Sequence, residues 1–165
     1  MTDTNLTALK KRLGGTDALD LGGGDTVDQL SDTHVRWTKA ADDTLAADAT
    51  ANTKVWTNPY DFPLEVMGLK YSAGGTITAH DTNYATLSVK TDDAAAGTPV
   101  AALDMATKIT GGTGNVAAEI SEAHTTRTAA NCTVPVGGNL YVAIAKAGSG
   151  VVVRAGVVTV RLKRK

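Results

Sequence analysis

The chain has 165 residues, only 4% of them aromatic, and its 16 Lys and Arg nearly balance 17 Asp and Glu. That length allows one domain, or one domain with an arm, and the near-zero charge gives no general attraction to nucleic acid or anionic lipid. No apolar run of about 18 residues is present to span a membrane as a helix, and a single cysteine, Cys132, excludes an internal disulfide framework or a multi-cysteine zinc site.

At the N-terminus, Met1 to Asn5 lacks the basic start and apolar stretch of a signal peptide, so none is expected. Leu6, Leu9 and Leu13 follow with the spacing of one helical face. Thr4 or Asn5 could cap this short helix, and Gly14-Gly15 would stop it. Lys10, Lys11 and Arg12 are either its polar face or a basic spot that docks on an acidic groove beside the leucines. Gly22-Gly23-Gly24 reads as a flexible joint. Val27, Leu30, Val35 and Trp37 are then scattered among Asp, Ser and Thr, and Ala40 to Ala51 is either helical or a plain linker.

Composition changes near residue 53. Residues 1–53 hold 11 large apolar or aromatic side chains and residues 54–165 hold 32, while 14 of the 16 valines lie in the second part. The first part has 9 acidic and 5 basic residues (−4), and the second has 8 and 11 (+3). So few large apolar groups cannot offset the entropy of ordering a chain. The expectation is an extended N-terminal arm over residues 1–53 and a folded body over residues 54–165.

The body reads as β. Leu64–Tyr71 is one expected strand and Thr76–Ala79 a short second. Tyr84–Thr91 alternates, with Ala85, Leu87 and Val89 inward. Asp92-Asp93 and Ala96–Pro99 break the chain, and Val100–Ile109 is either a strand or irregular. Asn131–Pro135 is a short strand closed by Pro135 and Gly137-Gly138. Leu140–Ala145 is a buried strand, and Gly148-Ser149-Gly150 connects it tightly to Val151–Arg154. In the last strand Val158, Val160 and Leu162 alternate against Val157, Thr159 and Arg161. Short strands between Gly, Asn and Asp turns, with no long helix, predict an all-β fold: an antiparallel β-sandwich or jelly roll carrying the N-terminal arm.

No set of residues declares catalysis. The spacing of a phosphate loop is missing, and Gly111-Gly112-Thr113-Gly114 reads as a turn. His34, His80 and His124 do not pair at zinc spacing. His80-Asp81 suits a turn better than an oriented imidazole, and His124 beside Glu119 and Glu122 reads as a polar loop. Ser149 lacks the nucleophile elbow, and Cys132 in a strand reads as a buried, inert thiol. Asp42-Asp43 and Asp92-Asp93 read as solvated turn or linker charges. No catalytic residue, metal or cofactor is therefore expected. Four cations in Arg161–Lys165 either blunt an edge strand or meet an acidic surface or nucleic acid.

The stretch Asn131-Cys132-Thr133-Val134-Pro135-Val136-Gly137-Gly138-Asn139-Leu140-Tyr141-Val142, then Gly148-Ser149-Gly150, then Val157-Val158-Thr159-Val160-Arg161-Leu162 resembles virion proteins of tailed bacteriophages. Head decoration (cement) proteins and head-fibre jelly rolls share this cadence behind a polar arm, and the resemblance covers mainly residues 130–162. It implies a homotrimer seated on a capsid exterior, with the major capsid protein as partner, made in the host cytoplasm. No catalytic residues are carried over by it, and neither membrane nor nucleic acid is an expected partner. Under that reading the arm anchors to the capsid or a neighbouring subunit through Leu6, Leu9, Lys10, Lys11, Arg12, Leu13 and Trp37. The alternative is a receptor- or carbohydrate-binding module of a phage fibre. It would use Trp56, Tyr60, Phe62 and Tyr71, for which core or interface packing is the competing role.

Overall fold

The computed structural model describes residues 19–20, 26–27, 32–92, 99–118, 121–124 and 127–165. Two short strands, β1 (Leu19–Asp20) and β2 (Thr26–Val27), pair with each other antiparallel as a separate sheet. The strands of the sandwich are β3 (Asp32–Lys39), β4 (Thr50–Thr57), β5 (Leu64–Ala73), β6 (Ala85–Asp92), β7 (Pro99–Ala106), β8 (Ser121–His124), β9 (Thr133–Val134), β10 (Asn139–Lys146) and β11 (Gly156–Arg164). One sheet runs β4-β10-β6-β7 and the other β3-β11-β5-β8, with β9 also paired to β5.

This order is that of a long antiparallel hairpin rolled on itself. Its tip is the β6–β7 pair, followed outward by β5 with β8 and β9, β4 with β10, and β3 with β11. Rolling brings β10 against β6 and β11 against β5, which completes both sheets. The fold is all-β, and this wrapping is a jelly roll.

Alternation in the sequence decides which side chains enter the core. Ala85, Leu87 and Val89 of β6 are buried as expected, and Leu140, Val142 and Ile144 meet them from β10. Val158, Val160 and Leu162 of β11 face Tyr71, Leu69 and Val66 of β5. Each fully buried Val or Leu contributes on the order of 1.5–3 kcal/mol, and the Val-rich second part supplies most of them.

The sandwich also takes in residues from the part expected to be an arm. Strand β3 is hydrogen-bonded along β11, and β4 along β10, so a boundary between residues 53 and 54 falls inside β4. Low apolar content did not prevent this. Edge strands need only one inward row, and β3 supplies Val35, fully packed, and Trp37, half-buried against the core. Three further expectations change. Thr76–Ala79 makes a single bridge, Ile77 with Val116, rather than a strand. Val100–Ile109 resolves into β7, ending at Ala106. β11 lies between β3 and β5, so its C-terminal cations do not blunt an edge.

The segment between β3 and β4 is neither helix nor free linker. Asp43 forms an ion pair with Lys146 at 2.8 Å, their side chains 3% and 5% exposed. Asp43 also accepts the backbone N–H groups of Leu45 and Val153, and Lys146 Nζ donates to the Leu45 carbonyl. Asp42 pairs with Arg154 and accepts the Ala155 N–H. Asp43, expected as a solvated charge, is instead buried in a clasp that ties this segment to the β10–β11 connection, while Asp42 stays 44% exposed beside Arg154.

Candidate functional site

The best-built surface feature lies where the β4–β5 loop meets the β9–β10 turn. Its origin is a register shift. Leu140 pairs with Trp56 but Tyr141 pairs with Lys54, so Val55 is an extra residue in β4. A bulge of this kind re-aims the side chains around it. Lys54 stays on the outer face while Trp56 turns toward the core, where it is half-buried.

Asn58 then organises the corner. It is 2% exposed, so its polar groups need partners. Its Nδ2 donates to the carbonyls of Phe62 at 2.9 Å and Pro135 at 3.0 Å, and its Oδ1 accepts the Tyr60 N–H at 3.0 Å. Its backbone N–H donates to Gly138 O, and its carbonyl accepts the Gly137 N–H. Gly137 sits at φ 69°, where a side chain would be strained. One buried amide thus fixes two loops against each other.

Three aromatic rings result. Tyr60 stacks on Phe62 with centroids 5.1 Å apart and planes 14° from parallel. Trp56 lies 6.4 Å from Tyr60 at 50°. The Arg164 guanidinium sits 4.3 Å from the Phe62 centroid, a cation–π contact. Tyr60 is 40% exposed, and Val136 in the facing turn is 57% exposed. A ledge of this kind offers an exposed aromatic face, suited to a sugar ring or to an apolar anchor from a protein partner.

Of the four aromatics expected at a ligand or interface site, the structure brings together Trp56, Tyr60 and Phe62. Tyr71 is elsewhere: it is 1% exposed in the core, and its hydroxyl donates to the Arg154 carbonyl. Burial, with Asp42 and Asp43 nearby, pushes its pKa up to about 12. Trp37, expected in the anchor, lies half-buried in β3 and packs on the core. Leu6, Leu9, Lys10, Lys11, Arg12 and Leu13 lie outside the described residues. Asn58 carried no signal beyond an Asn-Pro pair, which marks a turn; Arg164 stood out only as one of the C-terminal cations, with nothing to show its contact with Phe62.

His80, Asp81, Asp92 and Cys132 are engaged within the fold. His80 Nδ1 accepts the N–H groups of Thr82 and Asn83, so it builds a turn as expected and does not contact Asp81 as an oriented pair. Asp81 accepts the Thr110 N–H, which holds its carboxyl below the usual range. Asp92, expected as a solvated turn charge, accepts the Asn139 N–H and the Tyr141 hydroxyl; the latter bond raises the Tyr141 pKa. Cys132 is fully buried and burial pushes its thiol up, away from the reactive thiolate. Among the described residues, no group of three His, Cys, Asp or Glu is placed to hold a metal ion. Nor is any helix there long and apolar enough to cross a membrane.

No family model matches the chain, and no curated protein matches it. Two solved structures from infectious bursal disease virus align with it, one of the Gx strain and one of the VP2 subviral particle. Each is 12% identical, with a TM-score of 0.41, over 89% of this chain. The chain spans 36% and 37% of theirs.

Proposed function

We propose that this chain is a structural virion protein, a decoration jelly roll of a tailed-phage capsid. In this reading it oligomerises, as a trimer, on the capsid exterior. It anchors to the major capsid protein or to a neighbouring copy through residues N-terminal to β3. Jelly rolls serve capsids, lectins and cupins alike, so the choice rests on what fills the interior. The observation that carries the reading is that both inner faces close on Val, Leu, Ile, Met and Tyr side chains. His80, Asp43, Asp92 and Cys132 are meanwhile occupied in holding loops and strands. Function is left to the surfaces and to the N-terminal segment, which is what attachment requires. Repetition over many capsid sites would give avidity without a strong single contact.

The arm claim is tested by comparing the full chain with a chain starting at Asp32, which keeps β3. On purified particles the full chain binds stoichiometrically and the shortened chain does not. Equal binding of both would end the anchoring claim.

The aromatic ledge favours a second reading, a receptor- or carbohydrate-binding module of a phage fibre. Glycan-array binding by the full chain that is lost on Tyr60→Ala and on Trp56→Ala would favour it over decoration.

A further inference from the structure

We propose that the outer face of the five-stranded sheet is a cationic docking surface for the Asp-rich stretch of a second copy of this chain. The register places the charges. Thr159 in the middle of β11 lies opposite Arg36 of β3 on one side and Lys70 of β5 on the other. Neighbouring strands are about 4.8 Å apart, so these two cations flank Thr159 roughly 10 Å from each other. Arg161 and Lys163 follow Thr159 on the same face, because Val158, Val160 and Leu162 take the inward positions. Arg36, Lys70, Arg161 and Lys163 are all exposed. Among the residues whose side chains are described, none of the four has an ion-pair partner; Glu65, opposite Lys163 on β5, holds Arg127. Four like charges gathered on one sheet face repel one another and call for an anionic partner.

The sequence holds a matching anion. Between Arg12 and Arg36 there is no Lys or Arg, and Asp17, Asp20, Asp25, Asp28 and Asp32 fall in that interval. Its two described pieces, β1 and β2, pair with each other and with neither sheet of the sandwich. The stretch enters the sandwich at Asp32, opposite Lys163, on the border of the basic face. Two copies can therefore exchange stretches so that each face meets the other's Asp run, a two-way contact of the isologous kind. A formal net charge of −1 adds almost no overall repulsion between copies. The overall charge also favours a carboxylate partner over a nucleic acid, which a net anion does not attract at long range.

This inference goes beyond the proposed function: the two-way contact joins copies in pairs and is distinct from the contact that would close a trimer. The experiment uses two full-length variants and native mass measurement. In one, Arg36→Glu and Arg161→Glu reverse the face; in the other, Asp20→Lys, Asp25→Lys and Asp28→Lys reverse the stretch. Wild type associates at about 50 mM salt, and self-association weakens at least about tenfold by about 500 mM. Each variant alone is on the order of a hundredfold weaker in self-association. Mixed together, the two variants form a heteromer, because one contact is restored with its signs exchanged and the other pairs the native face with the native stretch. Wild type that stays monomeric would overturn the proposal. A stable oligomer indifferent to salt and to both reversals would also overturn it, while leaving oligomerisation itself standing. A short DNA duplex that binds wild type and is lost on reversing the face would assign the surface to nucleic acid instead and end this reading.

Discussion

Replacing Lys146 by Met tests whether the β3–β4 segment is a clasped part of the fold. The substitution keeps length and apolar stem but removes the ammonium. The Asp43 carboxylate, 3% exposed, would then be buried without its counter-ion, though it would keep the Leu45 and Val153 N–H groups. Removing one partner of a buried pair costs about 3–5 kcal/mol. At about 3 °C per kcal/mol for a domain of this size, the midpoint falls by roughly 10–15 °C. The Leu45 carbonyl also loses the Lys146 donor, which places the value toward the upper end. Urea unfolding followed by tryptophan fluorescence reads the loss directly, with the slope unchanged if only stability has moved. The double variant Asp43→Asn with Lys146→Met removes both charges and should recover at least half of the loss. A Lys146→Met loss below about 1 kcal/mol, the worth of an exposed pair, would refute the clasp. So would a double variant that recovers nothing.

Three further outcomes are expected. Asn58→Ala should cost about 2–3 kcal/mol, since it strands the Tyr60 N–H and the Phe62 and Pro135 carbonyls, and near-ultraviolet dichroism should show the stacked rings losing their fixed geometry. Tyr71 should ionise at about 12 in a spectrophotometric titration. Between the ordinary value of about 10 and that point the unfolded chain has lost a proton that the folded chain keeps, so stability falls as pH rises there; Tyr71→Phe should abolish that part of the fall. Carboxyl NMR should place Asp42 below the usual carboxylate value because of the Arg154 and Ala155 hydrogen bonds, with Arg154→Ala moving it back up. Its contribution to stability is present above the ordinary carboxylate range and is lost as pH falls through the lowered value.

The central strands were legible because their patterns are strong. β6, β10 and β11 alternate or run apolar between Gly and Asp turns, and each lies within about two residues of its expected range. β3 and β4 were not legible, because an edge strand buries one sparse row and is held by pairing with partners far along the chain. Asp43 meets Lys146 across 103 positions, and no local pattern encodes that contact. The aromatic ledge was half legible. Trp56, Tyr60 and Phe62 are close in sequence, but separating them from Tyr71 needed the bulge at Val55 and the strand direction of β5. The basic face was hidden for a similar reason: Arg36, Lys70 and Arg161 become neighbours only through the register of β3, β11 and β5.

The account's central claim is most directly tested by immunogold labelling of intact virions with an antibody against the folded chain. It predicts label on the capsid exterior at regular, repeated positions. Virions without label, or label confined to fibre tips, would contradict it.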